Sequence, residues 1–189
     1  MRLFIAIAIP EHVRSALGEL IDSLRSACRE ARWVRLTGLH VTLKFIGETL
    51  PENVEEIKAA LKNIPERAPI HLHFGGLGFF PNARHPGVLW AGVEAGPELT
   101  ALSGAIEDAL DPAGVPPPEH RKFTPHLTLA RFKDSPGVNG LREAIEKAGA
   151  PKFGVTTATE FHLYESVLKP GGAEYTRLAT FSLSGSVTN

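Results

Sequence analysis

The tetrapeptide H-x-T-L occurs twice in this chain, as His40-Val41-Thr42-Leu43 and as His126-Leu127-Thr128-Leu129, 86 residues apart. Each copy opens a β-branched, apolar run of the kind that forms strands. The flanks repeat as well: Arg35 and Arg121 stand five residues before each histidine, Glu48 and Asp134 eight residues after. Each run then passes a turn signal, around Pro51 or Pro136, into a helical pattern. Two copies are too few for a stacked array, which needs about three or more units. A pseudo-symmetric, two-lobed domain accommodates them, with one histidine from each lobe meeting at a shared site.

Strand geometry says what such a site holds. Side chains at i and i+2 share a face. His40, Thr42 and Lys44 are therefore expected on one face, with Val41, Leu43 and Phe45 packed into the core. His126 and Thr128 are likewise expected opposite Leu127 and Leu129. A lone H-x-T in a strand is ordinarily a packed histidine beside a residue that suits strands; duplication with matching flanks is what lifts this pair above that. Two imidazoles supply one general acid and one general base near neutral pH. Two hydroxyls beside them suit the non-bridging oxygens of a single phosphate.

Composition narrows the partners. A net charge of −1 over 189 residues provides no broad basic field for gripping long nucleic acid. A nucleic-acid substrate would have to be read at a small site, such as a terminus. The single cysteine, Cys28, rules out an intrachain disulfide and any C-x-x-C metal site. His71 and His73 share a strand face, but no third ligand follows at a recognisable spacing, so neither metal nor cofactor is expected. The apolar run Leu3 to Ile9 is too short for a membrane span, and a charged amphipathic helix follows it. No membrane association is expected, and a reducing cytoplasm fits the cysteine usage.

A pass along the chain finds alternating elements. Strands are expected over Leu3–Ile9, Trp33–Leu36, Leu39–Ile46, Ile70–Phe74, Val88–Val93, the second motif, Thr159–Leu168 and Tyr175–Leu183. Helices are expected after Pro10 (Val13, Leu17, Leu20, Ile21, Leu24), from Pro51 (Val54, Ile57, Leu61), over Leu99–Leu110, and around Val138, Leu141 and Ile145. Gly75-Gly76-Leu77-Gly78 reads as the approach to a loop around Pro81, and Pro116-Pro117-Pro118 as a stiff connection. The fold class is α+β: two pseudo-symmetric lobes, each with an antiparallel sheet and helices, flanking a central cleft as a single domain over residues 1–189.

The motifs in their setting resemble the RNA 2',3'-cyclic phosphodiesterases of the two-histidine phosphoesterase superfamily, also called the 2'-5' RNA ligase family. The resemblance is carried by Arg2-Leu3-Phe4-Ile5-Ala6, by Leu39 to Glu48, and by Phe123 to Arg131. Leu77-Gly78 with Phe80-Pro81, Val88 to Val93, and Leu163-Tyr164-Glu165-Ser166 with Tyr175 complete it. It implies a bilobal fold and hydrolysis of a terminal 2',3'-cyclic phosphate to a 2'-phosphate. It also implies that His40 protonates the departing 3'-oxygen and that His126 activates water; the residues themselves identify the pair without ordering it. Arg131 stands where the family binds phosphate, yet five residues is an odd offset from His126. The strand must end or bulge before Arg131 for it to reach the site; otherwise it is solvated or salt-bridged. Arg35 and Arg121 are further candidates for contacts to the RNA strand. The expected partner is RNA with a cyclic phosphate terminus, or a small cyclic nucleotide such as ADP-ribose cyclic phosphate, met by a monomer with no obligate protein partner. The rival activities are 2'-5' ligation with the same residues in reverse, and a silent nucleotide-binding module, which the intact motifs argue against.

Overall fold

The computed structural model describes residues 1–115, 123–132, 138–170 and 172–184. Its first strand, β1 (Arg2–Ala8), buries Leu3, Phe4, Ile5, Ala6 and Ile7 in succession, as a strand covered on both faces must. It lies inside a four-stranded antiparallel sheet ordered β3-β1-β8-β9, with β3 spanning His40–Glu48, β8 Glu160–Lys169 and β9 Gly172–Ser182. A second antiparallel sheet has the order β2-β6-β5-β4-β7. Its strands are β2 (Arg32–Trp33), β4 (Ile70–Phe80), β5 (Val88–Ala95), β6 (His126–Arg131) and β7 (Lys152–Ala158). The two motif strands, β3 and β6, touch where the sheets meet. The architecture is thus α+β with two antiparallel sheets, as the pattern of elements implies.

Among the described residues four α-helices cover the sheets: α1 (Glu11–Leu24), α2 (Val54–Lys62), α3 (Pro97–Leu110) and α4 (Val138–Ala148). Their apolar residues recur at helical spacing, and the buried ones are those positions: Val13, Leu17, Ile21 and Leu24 in α1, and Leu99, Leu102, Ile106 and Leu110 in α3. The helices exchange partners between the sheets. α1 connects β1 to the strands before β3, yet it packs on β7 of the other sheet, where His12 Nε2 is hydrogen-bonded to the Val155 carbonyl at 3.0 Å. α3 connects β5 to β6, yet it packs on β3, where the Ser103 hydroxyl donates to the Leu43 carbonyl at 3.1 Å.

Two local expectations are corrected, and one strand, β7, is added. The strand expected to end at Phe74 continues through the glycine stretch to Phe80 before the loop at Pro81, with Gly76 at φ +71° as an unpaired bulge residue between Gly75 and Leu77. Pro51 opens a short 3₁₀ turn, and α2 proper begins at Val54. β7 carries little apolar signal, since Phe153 and Ala158 alone are buried and Val155 is exposed at the sheet edge. The triproline, Arg121 and Asp134 lie outside the described residues.

Candidate active site

Hydrogen-bonded register assigns the faces directly, because residues paired across strands share one. In the four-stranded sheet Ala6 pairs with Thr42 and with His162, and Ala8 pairs with His40. In the five-stranded sheet Trp90 pairs with Thr128, and Gly92 with His126. Each histidine–threonine pair therefore lies on one face of its sheet, with Val41, Leu43, Leu127 and Leu129 buried beneath. The cross-strand neighbours of the two histidines are small, Ala8 and Gly92, which leaves the sheet floor bare beside each ring. Gly92 has no alternative: a β-carbon there would sit 2.5 Å from the Gly75 carbonyl oxygen.

Both imidazoles are held in the same way. His40 Nδ1–H donates to the Gly38 carbonyl at 2.7 Å, and His126 Nδ1–H donates to the Thr124 carbonyl at 2.8 Å. A carbonyl only accepts, so in the neutral ring the hydrogen must sit on Nδ1 and the lone pair on Nε2. The two reactive nitrogens are thereby fixed by the residue two positions upstream in each repeat. Burial pushes the His40 pKa down from 6.5 to about 4, against the raising effect of its bond to Gly38, and the charge of His126 pushes the same way as burial. Burial lowers the His126 pKa too, with the Thr124 bond opposing it and Arg131 adding to it. Both rings are therefore neutral in the free protein near pH 7.

Each motif strand bulges after its threonine. β6 pairs Thr128 with Trp90 and Ala130 with Leu89, leaving Leu129 as the extra residue. Alternation on the unbulged partner then places Arg131, paired with Val88, on the face of Trp90, Thr128 and His126. This is the break that the odd offset requires. The Arg131 charge acts on both His126 and Tyr175 of the opposite sheet, so it sits between the lobes.

The same bulge in β3 corrects an expectation. Thr42 pairs with Ala6 and Lys44 with Ile5, so Lys44 turns away from His40. It is buried on the helix-covered side, with Nζ 3.9 Å from Glu107 of α3. Phe45, expected in the core, pairs with Phe4 instead and is 54% exposed on the histidine face. Ser103, which bonds the Leu43 carbonyl at the bulge, is the partner that local sequence does not reveal.

The remaining candidates divide. Arg35 stands at the rim, 4.0 Å from Glu174, which also pairs with Lys169. Arg121 lies outside the described residues. His71 and His73 project to the exposed side of β4, where His71 Nδ1 is hydrogen-bonded to the Thr157 hydroxyl at 2.9 Å. Among the described residues no group of three or more His, Cys, Asp or Glu could hold a metal. No helix among them is long and apolar enough to cross a membrane.

Sequence reasoning allowed for an aromatic platform but did not pick out its residues. Phe4 and Tyr175 lie against His40, at ring separations of 4.6 and 5.2 Å, and Phe80 is edge-on to His126 at 4.9 Å. Trp90 fills the space above Gly78, where any β-carbon would collide with its ring at 2.2 Å. These rings supply the burial that keeps both imidazoles neutral.

Two neutral imidazoles with hydrogen-free Nε2 atoms, a threonine on the same face as each and an arginine between the lobes are groups that can perform acid–base chemistry on an anion. Comparison with known proteins gives this class its family. The profile of the 2'-5' RNA ligase superfamily matches residues 10–169, and the chain belongs to that family. The RNA 2',3'-cyclic phosphodiesterase of Archaeoglobus fulgidus is 31% identical over 96% of this chain and 99% of its own. That of Thermus thermophilus is 36% identical over 98% of this chain and 91% of its own. A crystal structure of a Thermus thermophilus protein superposes with a TM-score of 0.80 at 32% identity, covering 98% of this chain and 99% of that one.

Proposed function

We propose that this protein is an RNA 2',3'-cyclic phosphodiesterase that opens a terminal cyclic phosphate to a 2'-phosphomonoester by two-histidine acid–base catalysis. The observation that carries the reading is the matched pinning of His40 and His126 through Nδ1, which leaves both Nε2 atoms for proton transfer. The names of the relatives supply the substrate class.

In the proposed reaction His126 Nε2 takes a proton from water as its oxygen bonds to phosphorus. The bond from phosphorus to the 3'-oxygen breaks, and His40 Nε2–H delivers its proton to that oxygen. His40 must enter as the imidazolium, which its burial disfavours in the free protein. The charge of the bound phosphate offsets this, because a nearby anion favours the protonated ring. Thr42 and Thr128 hold the non-bridging oxygens, and Arg131 neutralises the charge that develops on them. Arg35 and Arg121 serve the RNA strand in this reading. The lobes are read as one unit over residues 1–189, since each sheet borrows a helix from the other. A monomer suffices because one chain supplies both histidines. The proposal places it in the cytoplasm, consistent with a free, buried Cys28.

Incubation with an oligonucleotide ending in 2',3'-cyclic phosphate, followed by phosphorus NMR, tests the reading. A 2'-phosphate with a free 3'-hydroxyl is expected. Mainly 3'-phosphate would leave the paired-histidine chemistry but reverse the orientation of the ester. No turnover would overturn the proposal.

A further inference from the structure

The histidine face of the four-stranded sheet carries more than His40 uses. Register lays out two adjacent rows across it. One row reads Phe45, Phe4, Tyr164, Arg177, and the other Glu48, Arg2, Ser166, Tyr175. Phe4 is 1% exposed and is the keel: its ring lies 5.8 Å from Phe45, 5.2 Å from Tyr164 and 5.1 Å from Tyr175. Phe45 and Tyr175 stay open to solvent. Arg2 lies over the Phe45 ring at 5.9 Å and Arg177 over the Tyr164 ring at 6.0 Å. Among the described residues neither guanidinium is ion-paired; Glu48 lies toward the N-terminal amine and Glu174 toward Lys169 and Arg35.

We infer that this face, from His40 out to Arg177, is a track for the nucleotides upstream of the cyclic phosphate, so that the substrate is a single-stranded oligonucleotide rather than a mononucleotide. The inference rests on the proposed activity and deepens it. Exposed rings offer each base a stacking partner, and guanidiniums without acidic partners offer each linking phosphate a counter-charge. With strands about 4.8 Å apart, the Phe45 to Arg177 row spans about 14 Å, enough for roughly two nucleotides beyond the terminal one. Three rings line that span, with a guanidinium near each end: Arg2 over Phe45 and Arg177 beside Tyr164. The track starts at the imidazole that faces the leaving 3'-oxygen, so a strand with its end in the site continues directly onto it.

The test compares kcat/KM for a short RNA ending in 2',3'-cyclic phosphate with that for a mononucleoside 2',3'-cyclic phosphate. The intact protein is measured beside its Arg177→Gln and Phe45→Leu variants. The oligonucleotide should be preferred by about tenfold or more, and each variant should cut that ratio by about three- to tenfold. Arg177→Gln should also flatten the salt dependence on the oligonucleotide by about 0.7 in log–log slope, the value for one single-strand phosphate. Equal losses on both substrates, or an unchanged ratio, would overturn the track. Failure to cleave either substrate counts against the proposed activity alone. Fluorescence anisotropy of a labelled RNA ending in 2'-phosphate then decides the track: weaker binding by Arg177→Gln supports it, and equal affinity overturns it.

Discussion

Tyr175 rests on the backbone of Gly38 so closely that a β-carbon at position 38 would come within 3.0 Å of its Cε2 atom. The carbonyl of Gly38 is the group that fixes the His40 tautomer, and the Tyr175 ring also stands perpendicular to the His40 ring, at 90° and 5.2 Å. One residue of β9 thus braces both the imidazole and its anchor.

Loosening that brace should disturb chemistry more than binding. Gly38→Ala and Tyr175→Leu are expected to lower kcat by about tenfold with a smaller change in KM, as for a group positioned for the transition state. Tyr175→Phe keeps the ring and should stay within a few-fold of the parent. Steady-state kinetics on all three checks this, and a Tyr175→Leu variant with the parent's kcat would refute it.

Replacing either His40 or His126 with asparagine should cost about 10²–10⁴ in rate while the fold persists. Circular dichroism and thermal melts separate lost chemistry from lost structure. A variant within a few-fold of the parent rate would remove that histidine from the mechanism.

The pH profile should sit on the acid side of histidine's ordinary range. A general acid fails as pH rises through its pKa, and a general base fails as pH falls through its own. Burial puts both groups below 6.5 in the free protein, His40 near 4. The bell in kcat/KM, which reports the free protein, should therefore centre below 6.5, with limbs that belong to the coupled pair. The bell in kcat should lie further toward alkaline pH, because bound phosphate favours the protonated ring. A kcat/KM maximum above pH 7.5 would contradict the buried, neutral pair.

Stability should carry the same signature. Unfolded His40 binds a proton near 6.5, and the folded ring binds one only near 4. Between those values the unfolded chain holds more protons, so stability falls as pH is lowered through the window. At about 1.4 kcal/mol per pKa unit the loss is at most about 3.5 kcal/mol, and less for a ring that keeps some contact with water. His40→Asn should show a shallower drop in Tm between pH 6.5 and 4 than the parent. Parallel drops would mean that other groups control the acid limb.

Metal removal should leave turnover intact, since both proton transfers are assigned to imidazoles. If EDTA abolished activity and zinc or manganese restored it, the histidine pair could not be acting alone.

What was legible in the sequence depended on range. Faces set by two-residue alternation came through, so the positions of His40, Thr42, His126 and Thr128 on their strands were readable from the motifs alone. The odd offset of Arg131 even demanded a bulge, and β6 has one. The matching bulge in β3 was not readable, because its partners, Ser103 and Glu107, lie about sixty residues away on α3. Lys44 and Phe45 were consequently assigned to each other's faces. The bracing role of Tyr175 was missed for a related reason: it reaches His40 through the pairing of β9 with β8 and of β8 with β1, a contact made by the two ends of the chain.

The exchange of α1 and α3 between the sheets has a consequence for how the molecule can come apart. The four-stranded sheet takes β1 and β3 from one end of the chain and β8 and β9 from the other, and α3, from the middle, covers β3. No single cut yields a fragment with an intact four-stranded lobe. Spreading the sheets apart would also strip α1 from β7 or α3 from β3, so the spacing of the two histidines is interlocked with the integrity of both cores. Denaturation should accordingly abolish catalysis and tertiary structure together, in a single transition, with no populated half-molecule that retains one working histidine on a folded support.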